Sequence, residues 1–275
     1  METQYDVVEK EDFEARINAG LKKEPQMYSQ NELESFVHAI TQINHFIDQE
    51  KPDIILAPMM GAVPLVDALN ALNPHFENNK VYYVPASSSL QSLNNILPGA
   101  VKNVLEEAVP AEFPGRLKIF SIDEVVSGAS AVRLRNKVNL GLRRFARERG
   151  LTNEEVADIE YTQIGMEHGL HKANGKDWNN GYKQLRDLGL VVPFEVDRII
   201  TMDNPKFCPV RYKRHPYDHA RNTPIVDPKI KVPKEYVRLL HDMASVAGAD
   251  PNMAGPKNLK KILEHQRFVP LRYKT

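Results

Sequence analysis

The chain has 275 residues, 42% hydrophobic and 26% charged, enough for one large α/β domain with an appendage or for two modest domains. No apolar run approaches the roughly 18 residues that a membrane span needs, so a membrane protein is excluded, and the charged N-terminus with a single cysteine, Cys208, points to a reducing cytoplasm. The zero net charge hides an asymmetry: Lys206 to Thr275 holds 15 Lys and Arg against 6 Asp and Glu, which is +9 and leaves −9 on the first 205 residues.

Residues 1–28 lack a clear period and read as an arm or a short helix. Ser29 followed by Glu32 forms a capping box, and Leu33, Phe36, Val37, Ile40, Ile43, Phe46 and Ile47 then share one face of a helix ending near Glu50. Ile54 to Pro58 is a short apolar run of the kind a buried parallel strand shows. A turn, MMGA, leads to a second helix over Pro64 to Leu72, and Val81 to Pro85 reads as a second strand. Leu117 to Ile122 is the third strand; a long helix from Ser130 to Arg149 follows, closed by Gly150. Asp158 to Met166 and Val196 to Met202 read as the fourth and fifth strands. Strands alternating with helices predict an α/β fold, a central mainly parallel sheet covered by helices on both faces, with ligands at the carboxyl ends of the strands. That domain spans 29–204. A proline-rich, irregular and helical basic extension, 205–275, completes the chain, with helices near Lys234 to Val246 and Lys257 to Gln266.

The segment KIFSIDEVVSGAS carries the clearest chemistry. An apolar strand delivers Asp123 and Glu124 to the sheet edge, where carboxylates can accept hydrogen bonds from sugar hydroxyls. Val125 and Val126 lead into Ser127, Gly128, Ala129 and Ser130. There backbone N–H groups, two hydroxyls and a helix N-terminus suit an anion, and Gly128 allows close backbone approach. Acids for a ribose beside amides for its phosphate suit a phosphoribosyl group.

These residues resemble the type I phosphoribosyltransferase family, whose signature is a hydrophobic strand, two acidic residues and a Ser/Thr-Gly phosphate loop. Upstream, DIILAPMMGAVPLVD is similar to the family's first strand and pyrophosphate loop, which places Met60, Gly61 and Ala62 in contact with substrate. The resemblance implies phosphoribosyl pyrophosphate or a nucleotide as ligand and Mg²⁺-dependent transfer at ribose C1. It also implies that Asp123 and Glu124 act as catalytic and metal-holding acids, and that Ser87 to Val109 forms a mobile loop over the site. The acidic pair stands one residue later than the family's, with Ile122 at its first acidic position, and MMGA lacks the basic residue many members carry. An acidic residue placed after the pair is also a feature of phosphoribosyltransferase-like proteins of bacterial stress and conflict systems. A second reading therefore stays open: a non-catalytic nucleotide sensor or effector scaffold in a nucleic-acid-associated complex.

Glu167 and His168 follow the fourth strand directly, at the sheet end where a ligand would lie, and are candidates for contact with the acceptor. The histidine clusters MEHGLH and HPYDH have spacings of three and four but are broken by glycine and proline, so a zinc site is disfavoured. GLHKANGKDW fails as a nucleotide-triphosphate loop, with one residue too many and Asp177 where a Ser or Thr is needed. The basic extension could meet a nucleic acid, a phosphorylated ligand, or the chain's own acidic half within one chain or across a homodimer.

Overall fold

The computed structural model describes residues 28–59, 61–86, 91–168, 178–198, 207–214 and 226–269. The capping box forms as the sequence requires. Ser29 accepts from the Glu32 backbone N–H and Glu32 returns the bond to Ser29, starting helix α1, Gln30–Glu50. Lys51, in the left-handed region at φ 47°, ends it. Strand β1, Ile54–Pro58, is buried throughout, and α2, Val63–Leu72, follows with a proline in its first turn. Then come β2, Val81–Val84, α3, Gln91–Ala108, β3, Leu117–Val125, and α4, Ala129–Arg149. A second capping box, Thr152 with Glu155, starts the short α5, Asn153–Ala157. The order continues with β4, Ile159–His168, α6, Asn180–Asp187, and β5, Val191–Val196. An antiparallel pair, β6, Val210–Arg214, and β7, Val226–Ile230, precedes α7, Lys234–Val246, and α8, Leu259–Glu264.

The central sheet has the order β2-β1-β3-β4-β5, and every neighbouring pair in it is parallel. Side chains alternate between two apolar layers. Ile55, Ala57, Phe120, Ile122, Ile164 and Met166 meet α1, α2 and α7. Ile54, Leu56, Leu117, Ile119 and Tyr161 meet α3 and α4 on the other face. Both faces of β1 and β3 are thus covered, and their near-continuous apolar sequences follow from that.

Three expectations change. The fifth strand is Val191–Val196, of which only Val196 belonged to the expected stretch; residues 199–202 of that stretch lie outside the described residues. Pro193 is accommodated because β5 is an edge strand, where a missing N–H is tolerated. The expected mobile loop, Ser87 to Val109, is mostly the helix α3, which carries Pro98 in its interior. Leu97, Ala100, Val101, Val104 and Leu105 are all buried in the second layer, and the packing of that stripe outweighs the hydrogen bond the proline removes. The third strand runs three residues further than expected, so Asp123 and Glu124 belong to the strand.

The basic C-terminal stretch shares the core. Tyr236, Leu239, Leu240 and Met243 of α7 and Ile262 of α8 are buried with the first layer, and Phe268 with the second. Polar anchors fix this arrangement. Tyr236 Oη donates to Asp67 Oδ2 at 2.5 Å and Asn258 Nδ2 to Asp67 Oδ1 at 2.6 Å. The backbone N–H of Tyr83, on edge strand β2, donates to His265 Nδ1 at 2.8 Å, which covers part of an edge that would otherwise be open to pairing. Among the described residues no helix is long and apolar enough to cross a membrane.

Candidate functional site

In an open parallel sheet the ligand crevice lies outside the carboxyl ends of the strands where the strand order reverses. Here that point is between β1 and β3. The turn after β1 reaches Asp123 directly: a Cβ added at Gly61 would stand 2.5 Å from Asp123 Oδ1. Glycine there leaves the carboxylate in place, since a side chain would displace it. Asp123 Oδ1 accepts the Glu124 backbone N–H at 3.0 Å. Burial lifts the Asp123 carboxyl to about 7, with that hydrogen bond opposing the rise.

Three residues beyond β3, α4 begins without a side-chain cap. Gly128 is its N-cap residue at φ 78°, a conformation that L side chains rarely adopt. The first-turn N–H groups of α4 therefore lack both an intrahelical acceptor and a capping side chain, and they form the positive end of a helix dipole. Val126 and Ser127 are exposed, Ala129 and Ser130 half-buried. Arg133 Nη2 reaches Ser130 Oγ at 3.5 Å.

The remaining expected residues divide. Gly61, Asp123 and the turn from Val126 to Ser130 gather at the crevice, with Ala62 buried just behind as the residue preceding α2. Met60 lies outside the described residues, as does the side chain of His168. Val125 is buried against Ala131, Tyr182 and Val191. Glu124, 5% exposed, follows Asp123 along an extended strand, and strand alternation sends it to the opposite face. The two acids do not form one chelating pair. Glu167 is also turned inward: it is 1% exposed, accepts from Tyr182 Oη at 2.6 Å and pairs with Arg186 at 3.2 Å.

Tyr182 is the residue that sequence reasoning missed. A Cβ on Gly128 would fall 2.3 Å from its Cγ, and one on Gly165 2.8 Å from its Oη. The glycine of the SGAS turn therefore seats a buried tyrosine as well as freeing the backbone. Asn179 holds the same turn: its N–H donates to Ser127 O at 3.0 Å, and its side chain caps α6. Burial, reinforced by the neighbouring Glu167 carboxylate, raises the Tyr182 phenol above its ordinary range, so it stays a donor. The asparagine ahead of NGYKQL was the available signal, as a helix cap.

A polar layer supports the site from below. Gln163 Nε2 donates to Ala131 O at 3.1 Å, joining β4 to the first turn of α4. Arg135 donates to Leu190 O and Tyr161 O, both at 3.1 Å, and lies over the Tyr161 ring. Ser121 Oγ and Tyr161 Oη share a hydrogen bond of 2.9 Å.

Among the described residues no three His, Cys, Asp or Glu side chains gather as a metal site. Among the described residues Asp123 is the carboxylate that could hold a Mg²⁺ at the crevice, with oxygens of a bound substrate completing the shell, an arrangement that ion accepts. Comparison with protein-family models, with curated proteins and with solved structures finds no match to this chain.

Proposed function

We propose that the crevice between β1 and β3 binds a ribose 5-phosphate group, as phosphoribosyl pyrophosphate or a nucleotide, and that the chain catalyses Mg²⁺-dependent transfer at ribose C1. The observation that carries the proposal is the juxtaposition of Asp123, touching the Gly61 turn, with the uncapped N-terminus of α4. A phosphate there would accept from the first-turn N–H groups and the Ser127 and Ser130 hydroxyls. A carboxylate a few residues away accepts from ribose hydroxyls. Once it is ionised, above about pH 7, its negative charge favours the positive charge that develops on the sugar ring as the bond at C1 breaks. When bound, Mg²⁺ would neutralise the leaving oxygens. Asp123 would hold it.

Glu124 lies on the opposite face of β3 from Asp123, and Glu167 is engaged by Tyr182 and Arg186; that favours a second reading, a ligand-binding scaffold without turnover. Calorimetry with phosphoribosyl pyrophosphate and Mg²⁺ tests binding, and release of pyrophosphate in the presence of candidate bases or amines tests transfer. Under the proposal Asp123→Asn lowers affinity at least tenfold and abolishes release. Binding without release by the wild-type chain favours the scaffold. No heat and no protection of the melting temperature would remove both.

A further inference from the structure

The outward face of α4 carries cations without an acidic residue among them. At 3.6 residues per turn, Arg133, Asn136, Lys137, Leu140, Arg143, Arg144 and Arg147 fall within about 60° of the Leu140 direction, and no acidic residue shares that arc. Arg133, Asn136, Leu140, Arg143 and Arg147 are exposed; Lys137 and Arg144 are half-buried. Among the described residues none of these five cations forms an ion pair. Glu148, just outside the arc, bonds Lys102 at 2.6 Å and is only flanked by Arg144 and Arg147. The stripe runs about 21 Å along the helix axis and starts one turn from the uncapped N-terminus.

Five like charges held on one rigid face repel one another, and solvent and salt screen that cost only in part. We infer that this face is a docking surface for the phosphodiester backbone of a nucleic acid. Guanidinium groups predominate in it, and their planar fork matches phosphate oxygens. The length covers roughly six nucleotides at about 3.4 Å per residue of one strand. A membrane surface fits less well, since a helix lying on lipid needs an apolar face toward it. The apolar face of α4 is buried on the sheet, and Leu140, 38% exposed, is the one large apolar side chain in the stripe. A second copy also fits less well. Neighbouring carboxylates already have cations: Glu106 with Arg149, Glu107 with Arg267, Glu148 with Lys102.

The test is fluorescence anisotropy of the full chain with a mixed-sequence 20-nucleotide single strand, as RNA and as DNA, and with the corresponding duplex, from 50 to 200 mM KCl. If all five cations engage, log K falls against log salt with a slope of about −3.5 on single strands or about −4.5 on duplex. The first slope is about a 100-fold loss across that range. Replacing Arg133, Lys137, Arg143, Arg144 and Arg147 with Gln should abolish binding and flatten the slope, with the melting temperature of the free chain kept or raised. The control variant Arg211→Gln/Lys213→Gln/Arg214→Gln, on β6, should bind as wild type. Binding that is lost in the β6 variant but kept in the α4 variant overturns the assignment. So does no binding at 50 mM salt, or charge-dependent self-association or vesicle binding without oligonucleotide binding. Asp123→Asn should leave oligonucleotide affinity unchanged, so failure here is separable from failure of the ribose-phosphate reading.

Discussion

At the scale of single residues, two glycines near the crevice have different jobs. Gly61 leaves room for a carboxylate oxygen, and the atom a new Cβ would meet is the far end of a side chain that can rotate. Gly61→Ala should therefore cost little stability, about 1 kcal/mol or less, while displacing Asp123 and weakening ligand binding in calorimetry. Gly128 combines a positive φ with a Cβ position already filled by the body of the Tyr182 ring. Gly128→Ala should lower stability by about 2–4 kcal/mol, from strained backbone and overpacking together. Truncating the tyrosine relieves only the second part. Because the tyrosine Cβ would also stand 2.4 Å from the new Cβ, the relieving background is Tyr182→Gly: in urea titrations, Gly128→Ala should then cost at least about 1 kcal/mol less there than in the wild-type chain. Additive losses would show that the ring does not press on the turn.

At the scale of elements, α6 acts as a strut between the SGAS turn and the end of β4, through Asn179, Tyr182 and Arg186. Tyr182→Phe removes the hydroxyl that donates to a buried carboxylate. It should cost about 1–3 kcal/mol in denaturant titration, and it should loosen the turn, seen as faster hydrogen exchange of the Ala129 and Ser130 amides. Unchanged exchange there would show that the strut does not reach the turn. The strut also marks where sequence reasoning stops. Elements with a strong local period or cap were legible: Ser29 with Glu32 for α1, Ile54 to Pro58 for β1, Gly150 for the end of α4. Elements set by neighbours were not. The stretch of α3 was expected as a loop from the family resemblance and β5 was placed too late in the chain; burial lets α3 keep Pro98 and an edge position lets β5 keep Pro193. Within the site, Asp123 and the turn were legible as consecutive residues on a strand-to-helix junction. The inward direction of Glu124 and Glu167 was not, because it depends on where β3 ends and on a tyrosine far along the chain.

At the scale of the whole molecule, one buried carboxyl links the sheet domain to the C-terminal helices. Asp67 lies on α2, accepts from Tyr236 of α7 and from Asn258, and is fully buried. Burial outweighs these hydrogen bonds, together with those from the Asn258 and Lys257 backbone N–H groups, and lifts it from 3.8 to about 7. The folded chain keeps this proton up to about pH 7, whereas the unfolded chain releases it near 4. Between those values the folded state binds more protons, so stability falls as pH rises from about 4 to about 7 and is level above that. At roughly 1.4 kcal/mol per pKa unit the loss is on the order of 4 kcal/mol. Asp67→Asn removes the titration and keeps the geometry: its Oδ1 still accepts from Asn258, and its Nδ2 donates to Tyr236 Oη, which becomes the acceptor. Asp123, raised in the same direction, contributes equally to both proteins and cancels in the comparison. The variant should melt within a degree or two of wild type at pH 5 and several degrees above it at pH 8. Equal destabilisation at both pH values would mean that the ionised carboxylate, not the protonated acid, holds the C-terminal helices to the sheet.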